Sequence, residues 1–241
     1  MSTFQELGAP FSLFEAPIDD CAGYSGPGVC SICETPQPHT FLLGTGCCII
    51  VHCSSCNVEN GLSTSRKKSQ TCRSCGAVIG FPPALSQLEE ILCCYSCLRS
   101  GLVAITKDSE LGMISWGQAF EGITHGVPGL KNPNFELVEL KDGWIGAILP
   151  SEIMFELLRT PDYITWQGDQ WLFCCKHPMT FMGFKTAQQL LALDKQYTEE
   201  TLFQKVTQGR FTFSHGAIDG FSFYLFKCKT CGTNRFHWDM D

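Results

Sequence analysis

Cys30-Ser31-Ile32-Cys33, Cys53-Ser54-Ser55-Cys56, Cys72-Arg73-Ser74-Cys75 and Cys94-Tyr95-Ser96-Cys97 follow one another within a single stretch of the chain. Two thiolates three residues apart reach one tetrahedral metal while the short loop between them turns, so each pair supplies half of a structural zinc site. Four halves make two sites. Two of the chain's pairs run directly into glycine, as Cys75-Gly76 and, far downstream, Cys231-Gly232. Glycine there frees the backbone to turn its amides in behind the sulfurs. The competing readings are disulfides, which need a secretory context, and a redox pair, which needs a βαβ setting. The sequence offers neither.

Spacing alone leaves the pairing open. The intervals between successive pairs are 19, 15 and 18 residues, and all three suit a ribbon. A nested arrangement puts Cys53, Cys56, Cys72 and Cys75 inside Cys30, Cys33, Cys94 and Cys97, whose loop is then 60 residues. A sequential arrangement joins neighbours. The longer loop costs only about 1 kcal/mol more in closure entropy, which does not separate the two.

A third site is expected towards the C-terminus. The aromatic run of residues 221–227 leads into Cys228-Lys229-Thr230-Cys231, and a return strand follows at 235–238. A hairpin with a knuckle at its tip is half a ribbon. The other half is expected from Trp171-Leu172-Phe173-Cys174-Cys175-Lys176-His177. Adjacent side chains of a regular strand face opposite ways, so one cysteine with His177 is one ligand set. A bend would let both cysteines bind, and that set is preferred. Cys21, Cys47, Cys48 and Cys93 are left over and read as small buried apolar residues.

Composition bounds the rest. The chain has 241 residues, enough to bury a core in one large or two modest domains. Charged residues are 17% and phenylalanines number 18, which implies either an unusually full core, the preferred reading, or an apolar face for a partner. The formal charge is −7, and twelve thiolates holding three divalent ions would take it to about −13. That disfavours nucleic acid as a partner, since such binding needs clustered cations. The Arg66-Lys67-Lys68 run, between two cysteine pairs, reads as a solvated turn. No basic region followed by an apolar one opens the sequence, and no apolar run approaches the roughly 18 residues of a membrane span, so a cytoplasmic protein off the membrane is expected.

Local patterns predict short elements. Residues 1–29 are expected to lie extended over the body, 46–52 to form a strand, and 82–92 to form a helix delivering Cys94. Ser115-Trp116-Gly117-Gln118 has capping-box spacing, as do Thr186 with Gln189. Residues 135–148 read as a hairpin turning on Asp142-Gly143, residues 152–159 as a helix ended by Pro161, and 198–206 as another helix. The fold class is α+β: small antiparallel sheets with zinc ribbons or knuckles and several short helices. The division expected is a cysteine-rich region over 1–107, with a ribbon inserted at about 47–79, and an α+β domain over 108–241.

Cys30 with Cys33, the block Cys94-Tyr95-Ser96-Cys97-Leu98-Arg99-Ser100-Gly101, residues 159–168 (Arg-Thr-Pro-Asp-Tyr-Ile-Thr-Trp-Gln-Gly), Trp171 with Cys174 and Cys175, and the ending with Cys228, Cys231, Trp238 and Asp239 together resemble the bacterial CbrC family. The resemblance runs in order over most of the chain. It implies the nested pairing, because shorter members pass from the first pair to the Cys94 pair without the segment around 47–79. It also implies an immunity or tolerance role: protection from a toxin, such as a nuclease colicin, by binding. No catalysis comes with it. The sequence has no His-Glu-x-x-His and no His-x-Glu with Pro-Cys-x-x-Cys, and His39, His52, His125, His215 and His237 are scattered. The expected partner is therefore a cognate toxin with a basic surface. A regulatory or nucleic-acid-binding ribbon is the alternative. Tyr163, Trp166 and Trp171 offer either a partner groove or core packing, and core packing is the preferred reading.

Overall fold

A computed structural model describes residues 2–240. In chain order its elements are β1 (Tyr24–Val29), β2 (Pro36–Leu42), β3 (Cys47–His52), β4 (Glu59–Ser63), β5 (Gln70–Thr71), β6 (Val78–Ile79), α1 (Pro83–Ser86), β7 (Leu92–Cys94), α2 (Tyr95–Arg99), β8 (Val103–Ile105), α3 (Trp116–Glu121), β9 (Val127–Pro128), β10 (Leu137–Glu139), β11 (Trp144–Ala147), α4 (Ser151–Leu158), β12 (Phe173–Cys174), β13 (His177–Pro178), β14 (Thr180–Lys185), α5 (Ala187–Leu193), α6 (Glu199–Thr207), β15 (Phe221–Lys227) and β16 (Asn234–Met240). They form small sheets of two or three strands, in the orders β1-β2-β7, β4-β3-β8, β5-β6, β10-β11-β9, β12-β13 and β14-β15-β16. Each ladder between these strands is antiparallel. The α+β class read from the sequence is the class observed.

Three local expectations are corrected. The stretch 82–92 makes only one helical turn, α1, and Cys94 arrives on strand β7 instead. The reason is tertiary: Leu92, Cys93 and Cys94 pair with Leu42, Phe41 and Thr40 of β2, which a continuing helix would forbid. Residues 2–29 are extended only in part and are built into the core, with strand β1 at their end. Phe4, Phe11 and Phe14 are buried, with Phe4 edge-on to Phe11 and Phe14 and Phe14 edge-on to Phe181. Apolar area removed from water outweighs the missing periodicity. Ser115 begins α3 without capping a backbone amide, because its hydroxyl turns to the Gln118 side chain. The capping boxes at Thr186 and Thr198 do form, the second closing on Thr201. The 135–148 hairpin turns at Asp142 and Gly143, both with positive φ.

β15 shows how the core is divided. Phe221, Phe223 and Leu225 face α5 and α6 in a small core with Ala187, Leu190, Leu202, Phe203 and Val206. Tyr224 and Phe226, pointing the other way, belong to a larger core that reaches from Phe4 to Cys228. Residues on both sides of position 107 share that larger core. The strand is apolar at successive positions because both faces are covered. Two blocks carrying the resemblance also touch, since a Cβ on Gly101, whose φ is +78°, would lie 2.7 Å from the Arg159 guanidinium; beside them Arg99 makes a two-point contact with Glu156 (3.1 and 3.0 Å). Of the aromatic block, Tyr163 and Trp171 are in the core, while Trp166 is 79% exposed, contrary to expectation. Its neighbour Tyr163 points inward and fills the site, stacked at 4.5 Å on Phe181.

Candidate metal centres

The cysteine loops repeat one backbone pattern four times. After Cys30, Cys53, Cys72 and Cys228, the amide four residues on donates back to the cysteine carbonyl (2.8, 2.8, 3.1 and 2.9 Å), and the cysteine amide donates to the carbonyl five residues on (3.0, 2.9, 2.7 and 2.9 Å). The turning residue is left-handed each time: Glu34, Asn57, Gly76 and Gly232. Only the two glycines announced this in the sequence. Glu34 holds φ +56° at a cost that a Cβ imposes and glycine escapes. Glu34→Gly is therefore expected to be neutral or to gain about 0.5 kcal/mol, the relief being offset by unfolded-chain entropy. Glu34→Val, β-branched, is expected to lose about 1 kcal/mol or more in urea unfolding.

These loops bring the twelve predicted ligands into three groups: Cys30, Cys33, Cys94 and Cys97; Cys53, Cys56, Cys72 and Cys75; Cys174, Cys175, Cys228 and Cys231. Within each the sulfurs lie inside 4.8 Å of one another. The nested arrangement is the one the structure has. The first group joins the β1–β2 loop to Cys94, at the N-cap of α2, and Cys97 in its first turn. The second joins the β3–β4 and β5–β6 loops. The third joins the tip of β15–β16 to the turn between β12 and β13. In that turn Cys175 and Lys176 both have positive φ, so the chain reverses in two residues and both Cys174 and Cys175 enter the group. His177 stands opposite Cys174 in the ladder and is not a member of the group.

Sulfur spacing tests the fit to a metal. Four thiolates at about 2.3 Å from one zinc ion stand about 3.8 Å apart, whereas a disulfide is about 2.05 Å. The observed separations are 3.8 Å (Cys30–Cys97), 3.9 Å (Cys33–Cys94), 3.6 Å (Cys53–Cys75), 3.6 Å (Cys56–Cys72), 3.8 Å (Cys174–Cys175) and 3.5 Å (Cys174–Cys231). The residues fit a divalent, thiophilic ion.

Electrostatics agree. The neighbouring Cys93 thiol is the main reason Cys30 falls to about 3, with the amides of Cys33 and Cys94 adding to it. Amides of Cys75 and Ser74 lower Cys72 to about 6, and the Thr233 hydroxyl leads in lowering Cys231 to about 6. Cys174 rises to about 12, first through burial and then through the crowding sulfur of Cys231. A cation between them removes that conflict. Cys21, Cys47 and Cys48 lie outside the groups and are pushed up by burial, Cys47 to about 11 and Cys48 to about 12, as inert thiols should be.

Several supporting residues went unrecognised in the sequence. Asn60, buried, donates to Cys72 Sγ (3.6 Å) while its carbonyl accepts from the Arg73 amide (2.9 Å), orienting the second knuckle. Thr35 lies 3.0 Å from Cys33 Sγ and Thr233 3.2 Å from Cys231 Sγ. The recurrence Cys-x-Thr was the available signal. Cys93, read as a small buried residue, is buried, and its thiol donates to the Cys94 carbonyl (3.3 Å) beside the first group.

With this geometry in hand, comparison with known proteins places the chain. A family profile described as an uncharacterised protein family, UPF0167, matches residues 52–240. This chain belongs to UPF0167. The matched span takes in the second and third cysteine groups and Cys94 with Cys97, and begins after Cys30 and Cys33. A UPF0167 protein of Pseudomonas aeruginosa is 26% identical over 106 residues, 42% of this chain and 56% of that relative, so little more than half of the relative is matched. No solved structure matches. Among the described residues of this UPF0167 chain, the groups of three or more possible metal ligands are these three tetrathiolates, and no helix is long and apolar enough to cross a membrane.

Proposed function

We propose that this chain is a non-catalytic zinc protein that acts by binding, and that what it binds is a bacterial toxin with a basic surface. The observation that carries the reading is the closed, all-sulfur composition of the three groups. Catalytic zinc keeps a coordination position open and usually includes histidine or carboxylate, whereas four thiolates saturate the ion and leave it a scaffold. Zinc is the ion assigned, being tetrahedral, without redox chemistry and suited to sulfur. Cys30, Cys33, Cys94 and Cys97 hold one ion, Cys53, Cys56, Cys72 and Cys75 the second, and Cys174, Cys175, Cys228 and Cys231 the third. Each ties together segments distant in sequence, so the metal stiffens a body whose activity lies on its outside.

The resemblance to the CbrC family supplies the role of such a body, immunity or tolerance in the bacterial cytoplasm. Its charge of −7, made more negative by metal thiolates, favours encounter with a cationic protein. The test uses the cationic nuclease domain of a colicin. Cells expressing this chain are expected to survive the colicin, and the purified proteins to form a complex whose association slows as salt is raised. Unchanged killing together with no complex would refute the reading, as would binding to DNA or RNA at low salt in place of the protein.

A further inference from the structure

The segment 162–171 is held down by bonds that end in the core. Asp239, fully buried on β16, accepts through one oxygen from the amides of Trp166 (2.8 Å) and Gln167 (3.2 Å) and from the Tyr224 hydroxyl (3.1 Å). Gln167 Nε2 reaches the Met240 carbonyl (3.1 Å), the Gly168 amide donates to Thr165 Oγ1 (2.8 Å), and the Gln170 amide donates to the buried Tyr163 hydroxyl (2.6 Å). A buried carboxylate is costly and is retained where several donors satisfy it. Here two of the three donors are backbone amides of one surface loop.

What that loop presents is apolar. Trp166 is 79% exposed and Ile164 55%. Phe184 on β14, 41% exposed, joins them across Asp20, whose carbonyl accepts from the Ile164 amide (2.9 Å) and whose carboxylate accepts from the Phe184 amide (3.0 Å). A rigid, two-torsion aromatic held out in solvent costs little entropy to bury, and tryptophan leads among residues that anchor protein interfaces. The setting is negative at the surface: Asp19 is exposed and Asp20 and Asp162 are half-buried, against Lys107 and Lys185. Lys185 is turned to the carbonyls of Met182 and Phe184 (3.2 and 3.1 Å), and Lys107 is buried on Asp162.

From this geometry we infer that Trp166, flanked by Ile164 and Phe184, is the anchor by which the chain docks on its protein partner, entering an apolar socket rimmed by lysine or arginine. The inference rests on the functional reading above and names the face that serves it. An indole in a pocket with a cationic rim gains burial and cation–π attraction together, and the surrounding carboxylates pair with the rim.

The experiment measures binding of the colicin nuclease domain to wild type, Trp166→Ala and Phe211→Ala. Phe211 is 64% exposed in a different part of the chain and serves as control. Trp166→Ala is expected to weaken binding at least about 30-fold with unchanged thermal midpoint and metal content, and Phe211→Ala to change it less than about 3-fold. If wild type binds and Trp166→Ala binds equally well, or both variants lose equally, the anchor is refuted and the functional reading stands. If wild type does not bind, both fall. A wild-type dimer that Trp166→Ala returns to monomer, or wild-type binding to anionic lipid vesicles that Trp166→Ala abolishes, would give the patch to another occupant and overturn the inference as well.

Discussion

Replacing Cys97 or Cys30 by serine is expected to leave a chain that does not fold. Both are buried in the larger core, where Cys94 also accepts from the Cys97 amide (3.4 Å) and the Cys94 amide donates to Cys30 Sγ (3.2 Å). A structural zinc ion contributes about 10–16 kcal/mol of apparent binding free energy, comparable with or above the roughly 5–15 kcal/mol net stability of a whole domain. Without an ion at this group its buried sulfurs would lack partners among Phe41, Leu98 and Ile91. The third group differs, since Cys175 and Cys231 are exposed at the tips of two hairpins. Cys175→Ser is expected to keep its secondary structure and near-ultraviolet circular dichroism while its zinc content falls from three ions per chain to two. Graded chelation should empty this group first. Elemental analysis alongside circular dichroism reads both results, and a folded, metal-free Cys97→Ser protein would contradict them.

Lys107→Met should rank next in cost, at about 3 kcal/mol. The side chain is wholly buried with its ammonium on Asp162, whose own side chain is partly exposed. Breaking such a pair leaves an uncompensated carboxylate in the interior. Asp162→Asn in the same chain should recover part of the loss. Asp169 adds a pH signature: burial, then the charge of Asp162, raises its carboxyl to about 7, while Lys107 opposes the rise. A carboxyl whose folded value lies above its unfolded value holds its proton more tightly when folded. The cost of ionising it is absent below about pH 4 and complete above about pH 7. Without Lys107 that cost grows, so the deficit of Lys107→Met in urea unfolding should be larger at pH 8 than at pH 5. An equal deficit at both pH values would remove Asp169 from the account.

Short-range chemistry was legible. Cys-x-x-Cys spacing names ligands because only two residues separate the cysteines. Thr186 and Thr198 cap their helices because a hydroxyl and an amide three residues on meet without help from elsewhere. Asp142-Gly143 turns for the same reason. Where a distant partner competes, the local pattern fails: β2 draws Leu92 out of the helix that its spacing suggests, and Gln118 draws the Ser115 hydroxyl away from its cap. Glu34 turns left-handed under the pull of its knuckle, against its own preference, where Asn57 adopts that region more readily.

By itself, then, the sequence determined that this protein is an α+β chain built around cysteine pairs, and which sulfurs could serve, since those depend on neighbours a few bonds away. Which half joined which was decided only in three dimensions, because the loop entropies differ by about 1 kcal/mol and the sheets, not the spacings, bring Cys30 to Cys94. The same holds for Trp166. Its composition suggested core, and it is the buried carboxylate of Asp239, seventy-three residues away, that holds its backbone at the surface.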